Sequence, residues 1–180
     1  MEASFINPNE VVKNLPLHDG MVVVDLGCGS GFFSLAMAKL VRPSGLVVAL
    51  DIWKPALNTL NLKAKLAGLF NIIETKQVDL ESPKGTGLNK ESVDLAFISN
   101  VLFQIEDKNK LFQEILRILK PNGYLALIEW HPEKLPNAHL LKPIGHDEVL
   151  KMLIEIGFKT DRDILFTNTH YGILVKKEIK

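Results

Sequence analysis

Cysteine is nearly absent from this chain of 180 residues: Cys28 is the only one. That excludes an intramolecular disulfide and any metal centre built from thiolates, and it fits a reducing compartment. An excess of either charge is missing too, because Lys plus Arg and Asp plus Glu both count 21. No overall field therefore gathers the chain onto nucleic acid or an acidic membrane surface. No apolar run approaches the roughly 18 residues of a membrane span, and the start MEASFINPNEVV lacks the basic residues and apolar core of a secretion signal. The expectation from these absences is a cytoplasmic protein with neither nucleic-acid nor membrane partners. There is no internal repeat and no low-complexity linker, so residues 1–180 are read as one domain.

What is present is a regular alternation. Short runs rich in Val, Ile and Leu occur at 21–26, 46–51, 71–78, 93–98 and 124–130. Continuous apolar runs of that length suit strands covered on both faces, as in a parallel sheet. Between them, 32–41, 54–68, 107–123 and 146–158 carry apolar residues at helical spacing. Ser30 is the expected N-cap of the first of these helices, and Gly68 the expected terminating glycine of the second. The polar stretch 81–92 reads as a surface loop. Two final strand-like runs, 163–168 and 170–177, are joined by a tight link and read as an antiparallel hairpin at a sheet edge. Alternating strands and helices with short connections make an α/β, doubly wound sheet.

The first strand runs into VVVDLGCGSGFF, residues 22–33, with Gly27, Gly29 and Gly31 on alternate positions. In a doubly wound sheet this strand-to-helix turn is where a ligand sits. A dinucleotide site wants G-x-G-x-x-G, but here the third glycine comes one residue early and Phe32 fills the final slot. Asp25, just before the turn, repels a pyrophosphate and attracts a cation such as the ammonium of an amino acid. Asp51 ends the second strand, where a carboxylate accepts hydrogen bonds from both hydroxyls of a ribose. Ile52 and Trp53 follow with apolar surface for a purine, and Asp79 ends the third strand within reach of an adenine amino group. Three acids at neighbouring strand ends thus match an amino acid, a ribose and a base in one molecule.

DLGCGSG, LVVALDI, QVDLE, VDLAFISNVL and LFQEILRILKPNGYLALIEW, in this order over roughly residues 5–177, resemble the successive motifs of the class I S-adenosylmethionine-dependent methyltransferases. The likeness is greatest to the small-molecule branch that includes ubiquinone and menaquinone biosynthesis methyltransferases. It implies a seven-stranded, Rossmann-like sheet of order 3-2-1-4-5-7-6 with strand 7 antiparallel. It implies S-adenosylmethionine as cofactor, S-adenosylhomocysteine as product, and a small-molecule methyl acceptor. By the same resemblance Asp25 and the backbone of Gly27, Cys28 and Gly29 hold the methionyl end, and Asp51 holds the ribose. Ile52 flanks the adenine, Asp79 and Leu80 lie at its edge, and Ser99 and Asn100 line the methyl-transfer end.

Such a transfer needs no protein nucleophile, and a general base only where the acceptor must lose a proton. Asn100, His131 and His146 are the candidates by position. One cysteine is too few for an arsenite methyltransferase. Ser99-Asn100-Val101-Leu102 departs from the Asn/Asp-Pro-Pro-aromatic motif of enzymes that methylate nucleic-acid amino groups. Asp94, Glu129 and Glu133 do not form the metal site of catechol-type enzymes. Only about fifteen residues separate the fifth strand from the next helix, too few for a covering helix, so either the acceptor is held in an open cleft or a homodimer or partner subunit covers it. The rival readings are a non-catalytic module that binds the cofactor and a nucleotide-dependent oxidoreductase.

Overall fold

A computed structural model describes residues 6–138 and 141–178. After the short helix α1 (Pro8–Val12), strands and helices alternate as β1 (Val22–Leu26), α2 (Phe32–Val41), β2 (Leu46–Asp51), α3 (Lys54–Leu66) and β3 (Ile73–Gln77). The second half runs β4 (Val93–Ser99), α4 (Lys108–Ile118), β5 (Leu119–Trp130), α5 (His146–Ile156), β6 (Phe158–Phe166) and β7 (His170–Lys177). The seven strands form one sheet in the order β3-β2-β1-β4-β5-β7-β6. The pairs from β3 to β5 are parallel, and β7 runs antiparallel to both β5 and β6. This is the expected doubly wound order.

Alternation along β1 feeds both faces of the sheet. Val24 and Leu26 pack under α4 and α5 with Phe112, Ile115, Val149 and Leu153. Val23 faces the other layer, with Met37 and Val41 of α2 and Leu60 of α3. Both faces being covered explains why the central strands read as unbroken apolar runs. Among the described residues no helix is long and apolar enough to cross a membrane.

Several boundaries differ from expectation. Helix α4 stops at Ile118 and β5 begins at once, because Pro121 cannot continue a helix. The sequence KPNG makes an excursion in β5: Val93 pairs with Leu119 but Leu95 with Tyr124, and Asn122 takes φ +64°. Strand β6 starts five residues before the expected one. Its first half, FKTDRD, is exposed after Phe158, so the edge strand carries no apolar signal there. Ser30 does not cap α2; Gly31, at φ +82°, holds the N-cap position and Asp25 supplies the missing acceptor from β1. Gly68 does follow the end of α3 in a left-handed conformation, as expected. The stretch 81–92 is more than a surface loop, since Thr86 is buried and gives its amide and hydroxyl hydrogens to Glu114 Oε1 at 2.8 and 2.6 Å.

Candidate active site

The carboxyl ends of β1, β2 and β4 open onto two clefts. The smaller, about 440 Å³, is bordered by Asp51, Ile52, Asp79, Leu80 and Gln104. The larger, about 670 Å³, is bordered by Asp25, Cys28, Phe32, Ser99, Trp130 and His170, with Ile6 and Pro8 of the N-terminal segment over it. Gly27, Gly29 and Asn100 border both. All nine residues expected to hold the cofactor therefore border one or other of two neighbouring clefts.

The glycine turn is held from below. Gly27 N and Cys28 N both donate to Leu50 O, at 2.8 and 2.9 Å, and Gly29 N donates to Asp51 Oδ2 at 2.7 Å. These three hydrogens are spent within the fold, so the turn is not a nest of amides for a phosphate. The turn offers a carbonyl instead: among the described residues no donor reaches Gly27 O. Gly27 and Gly29 have φ of +74° and +52°. A Cβ on Gly27 would run into Val101, whereas one on Gly29 would meet nothing within 4 Å. The open side of the turn is thus at Gly29. Gly27→Ala should cost about 1–2 kcal/mol from the left-handed conformation alone. With the displaced Val101 added, thermal denaturation should show Tm falling by about 5 °C.

Asp25 is 2% exposed. Its Oδ2 accepts from Ser34 Oγ at 2.5 Å, and it also accepts from the Ser34 amide in the first turn of α2. Burial pushes its pKa up to about 7, against the Ser34 hydrogen bonds and helped by the negative charge of Asp51. No basic side chain among the described residues relieves that carboxylate. Asp51 is only half-buried, and its other oxygen accepts from Trp53 N at 2.8 Å. Each oxygen has spent one acceptor site on a backbone amide, so one on each remains for a pair of hydroxyls. Ile52 lies along the smaller cleft, but the indole of Trp53 borders neither. Asp79 spends Oδ1 on the amide of Glu81 at 3.0 Å while bordering the smaller cleft. Cys28 is held as a thiol, its pKa pushed up by burial and by Asp25 and Asp51.

Asn100 follows β4 at φ +58°, its amide bonded to Ile128 O at 2.9 Å. The loop after it is fixed by Glu129, which accepts from Val101 N at 2.7 Å and Leu102 N at 2.6 Å. Burial pushes the Glu129 pKa up to about 7, with those two amides opposing. Neither histidine candidate borders either cleft. His131 Nε2 donates to Thr167 O at 3.1 Å and its ring meets Phe166 and Tyr171. His146 lies between Asp147 and Asp163, which raise its pKa against the effect of burial. Among the described residues, the histidine that does border the larger cleft is His170, which lies inside a strand-like run of the sequence. Its only signal is structural: the antiparallel register sets it opposite Trp130. Glu129 had a visible sign, a lone carboxylate in the apolar run YLALIEW.

The sheet order, the glycine turn and the acids at the strand tips define the class as that of S-adenosylmethionine-dependent methyltransferases. Comparison agrees with this: the family described as "Methyltransferase domain" matches residues 17–156, and the chain belongs to it. A demethylmenaquinone methyltransferase of Lactobacillus johnsonii is 33% identical over 117 residues, which are 65% of this chain and 47% of that protein. A ubiquinone biosynthesis O-methyltransferase of Histophilus somni is 32% identical over 133 residues, 73% of this chain and 53% of that one. The chain spans about half the length of these relatives. Among solved structures, an S-adenosylmethionine-dependent methyltransferase from Aquifex aeolicus superposes with a TM-score of 0.81 at 26% identity, over 95% of this chain and 89% of that one.

Proposed function

We propose that the chain binds S-adenosylmethionine across the two clefts and transfers its methyl group to a small apolar molecule in the larger one. The observation that carries this reading is Asp25, a buried carboxylate beside the cleft with no cation of its own to balance it. Asn100 Oδ1, buried without a hydrogen-bond partner beside both clefts, and the open space at Gly29 fit the same ligand.

When bound, the cofactor supplies a methyl group already activated on a sulfonium. Asp25 and the Gly27 carbonyl receive an ammonium, and Asp51 receives the ribose hydroxyls. Ile52 and Leu80 cover an adenine face, with Asp79 at its edge. Asn100 and Ser99 flank the point at which donor and acceptor meet. Phe32, Phe33, Ile6 and Pro8 exclude water from the acceptor side, which favours alignment over hydrolysis. The names of the relatives make ring systems of the isoprenoid-quinone kind the first acceptors to try. A second subunit over the larger cleft would complete its cover.

Thermal shift tests this directly. At one hundred times the dissociation constant, S-adenosylhomocysteine should stabilise the fold by about 2.7 kcal/mol, raising Tm by roughly 5–10 °C. NAD and NADP should leave Tm unchanged. A shift with NAD alone would move the protein to the oxidoreductase reading, and binding without turnover on a broad acceptor panel to the sensor reading.

A further inference from the structure

Nine large apolar side chains are exposed among the described residues, and seven of them fall between residues 32 and 70. Ile52 belongs to the smaller cleft. The other six are Phe32 and Leu40 on α2, Trp53 at the start of α3, Leu62 and Leu66 on it, and Phe70 just after it. Helices α2 and α3 cover the same side of the sheet, through Met37 and Val41 of one and Leu60 and Ala64 of the other. Their outer faces form one layer. Helix α3 buries Leu57, Leu60 and Ala64 and turns Leu62 and Leu66, one helical turn apart, away from the sheet, at 66% and 89% exposure. A helix packed on a sheet needs one apolar stripe. This one has a second, which no described residue covers.

That second stripe continues onto α2. Lys63 Nζ lies 3.9 Å from the centre of the Phe32 ring and donates to Ser30 O at 3.1 Å. Leu66 is three positions further along the same side of α3. Phe32 in turn stands at the rim of the larger cleft. The charge of the layer is as uneven as its apolar surface: residues 32–70 hold five cations, Lys39, Arg42, Lys54, Lys63 and Lys65, against one acid, Asp51 at its strand tip. Among the described residues none of the five forms an ion pair. The neutrality of the whole chain hides this layer, because the balancing acids lie elsewhere.

We propose that the outer face of α2 and α3 docks on an anionic lipid surface, lying on the bilayer without crossing it: Leu62, Leu66 and Phe70 enter the headgroup boundary, and Lys39, Lys54 and Lys65 meet lipid phosphates. Charge selects this occupant. In a two-fold dimer through the same face, cations would meet cations across the axis. A rigid protein partner must offer a pocket for each side chain that stands out from a convex helix, whereas a fluid bilayer yields around it. The inference does not depend on which cofactor or acceptor the clefts hold.

Co-sedimentation of the full chain with vesicles tests this. Each cation near an anionic surface strengthens partitioning about fivefold, so two or three engaged together give at least tenfold. Vesicles of phosphatidylcholine and phosphatidylglycerol in equal parts should therefore bind the wild type at least tenfold more tightly than phosphatidylcholine alone at about 0.1 M salt, and about 0.5 M salt should remove most of that preference. Leu62→Ser with Leu66→Ser should weaken binding at least tenfold and leave Tm unchanged, because both side chains are exposed. Lys54→Glu with Lys65→Glu should cancel the preference for phosphatidylglycerol. Ile154→Ser removes an exposed apolar side chain from α5 and should bind as the wild type does. Equal binding to both vesicles, binding to neither, an undiminished double serine variant, or an equal loss in Ile154→Ser overturns the proposal. So does a wild-type dimer in analytical ultracentrifugation that the double serine variant dissolves, which would assign the face to a second copy.

Discussion

Asp51→Ala should lower the affinity for S-adenosylhomocysteine by at least a hundredfold while the protein stays folded. On the proposed reading the free acceptor positions of Asp51 take two ribose hydroxyls, and a hydrogen bond to a charged group contributes about 1.5–3 kcal/mol. Losing both is about 3–6 kcal/mol, and each 1.4 kcal/mol is a factor of ten. Part of the loss is indirect, since Asp51 Oδ2 also holds Gly29 N at 2.7 Å and so shapes the turn. Asp51→Asn separates the two contributions. Its remaining oxygen can keep the Gly29 amide, so it should hold the turn and still lose most of the ribose contact. Calorimetric titration of both variants decides it. Unchanged affinity in Asp51→Ala would remove the ribose assignment, and with it the division into a nucleoside cleft and an acceptor cleft.

The sheet was legible because its central strands are covered on both faces, which forces long apolar runs that nothing else in a chain of this composition produces. The acids were legible for a different reason. Asp25 and Asp51 sit where an apolar run ends, and a carboxylate at such a position is visible in the sequence itself. Edge strand β6 was mostly illegible, because five consecutive exposed residues, Lys159 to Asp163, follow Phe158 and leave no periodicity to detect. The wall of the larger cleft was illegible because its members come from distant segments, with Pro8 before β1, Phe32 on α2, and Trp130 and His170 on paired strands. No spacing rule links residue 130 to residue 170 until the antiparallel register is known. His131, one position from Trp130, shows the cost of that gap: in an extended chain a shift of one residue turns the side chain to the other face. The left-handed backbone of the glycine turn was legible, since Gly27, Gly29 and Gly31 all take positive φ, but the direction of its amides needed coordinates, because Leu50 O and Asp51 lie on the neighbouring strand.

Raising the pH from 5 to 8 should destabilise the unliganded protein, and Asp25→Asn should remove much of that effect. The native carboxyl titrates at about 7 where the ordinary value is 3.8. Between those two values the folded state keeps a proton that the unfolded state has lost, so stability falls as pH rises through the window and is level above it. About 3 pH units at 1.36 kcal/mol each puts the penalty at about 4 kcal/mol by pH 8. Glu129, raised from 4.5 to about 7, acts with the same sign. Asparagine at position 25 keeps an acceptor for Ser34 and carries no charge to bury. Tm at pH 8 should therefore rise by on the order of 10 °C in Asp25→Asn. The same substitution should weaken S-adenosylhomocysteine, whose ammonium then faces a neutral amide. In the wild type that ammonium should draw the Asp25 pKa down, so binding at pH 7 releases a fraction of a proton, measurable by calorimetry in buffers of different ionisation enthalpy. Asp25→Asn should release less. A variant no more stable than wild type at pH 8, with undiminished affinity, would show that the carboxylate serves α2 and not the ligand. The expected opposite, greater stability with weaker binding, is what a charge kept in the interior for a cationic ligand must give.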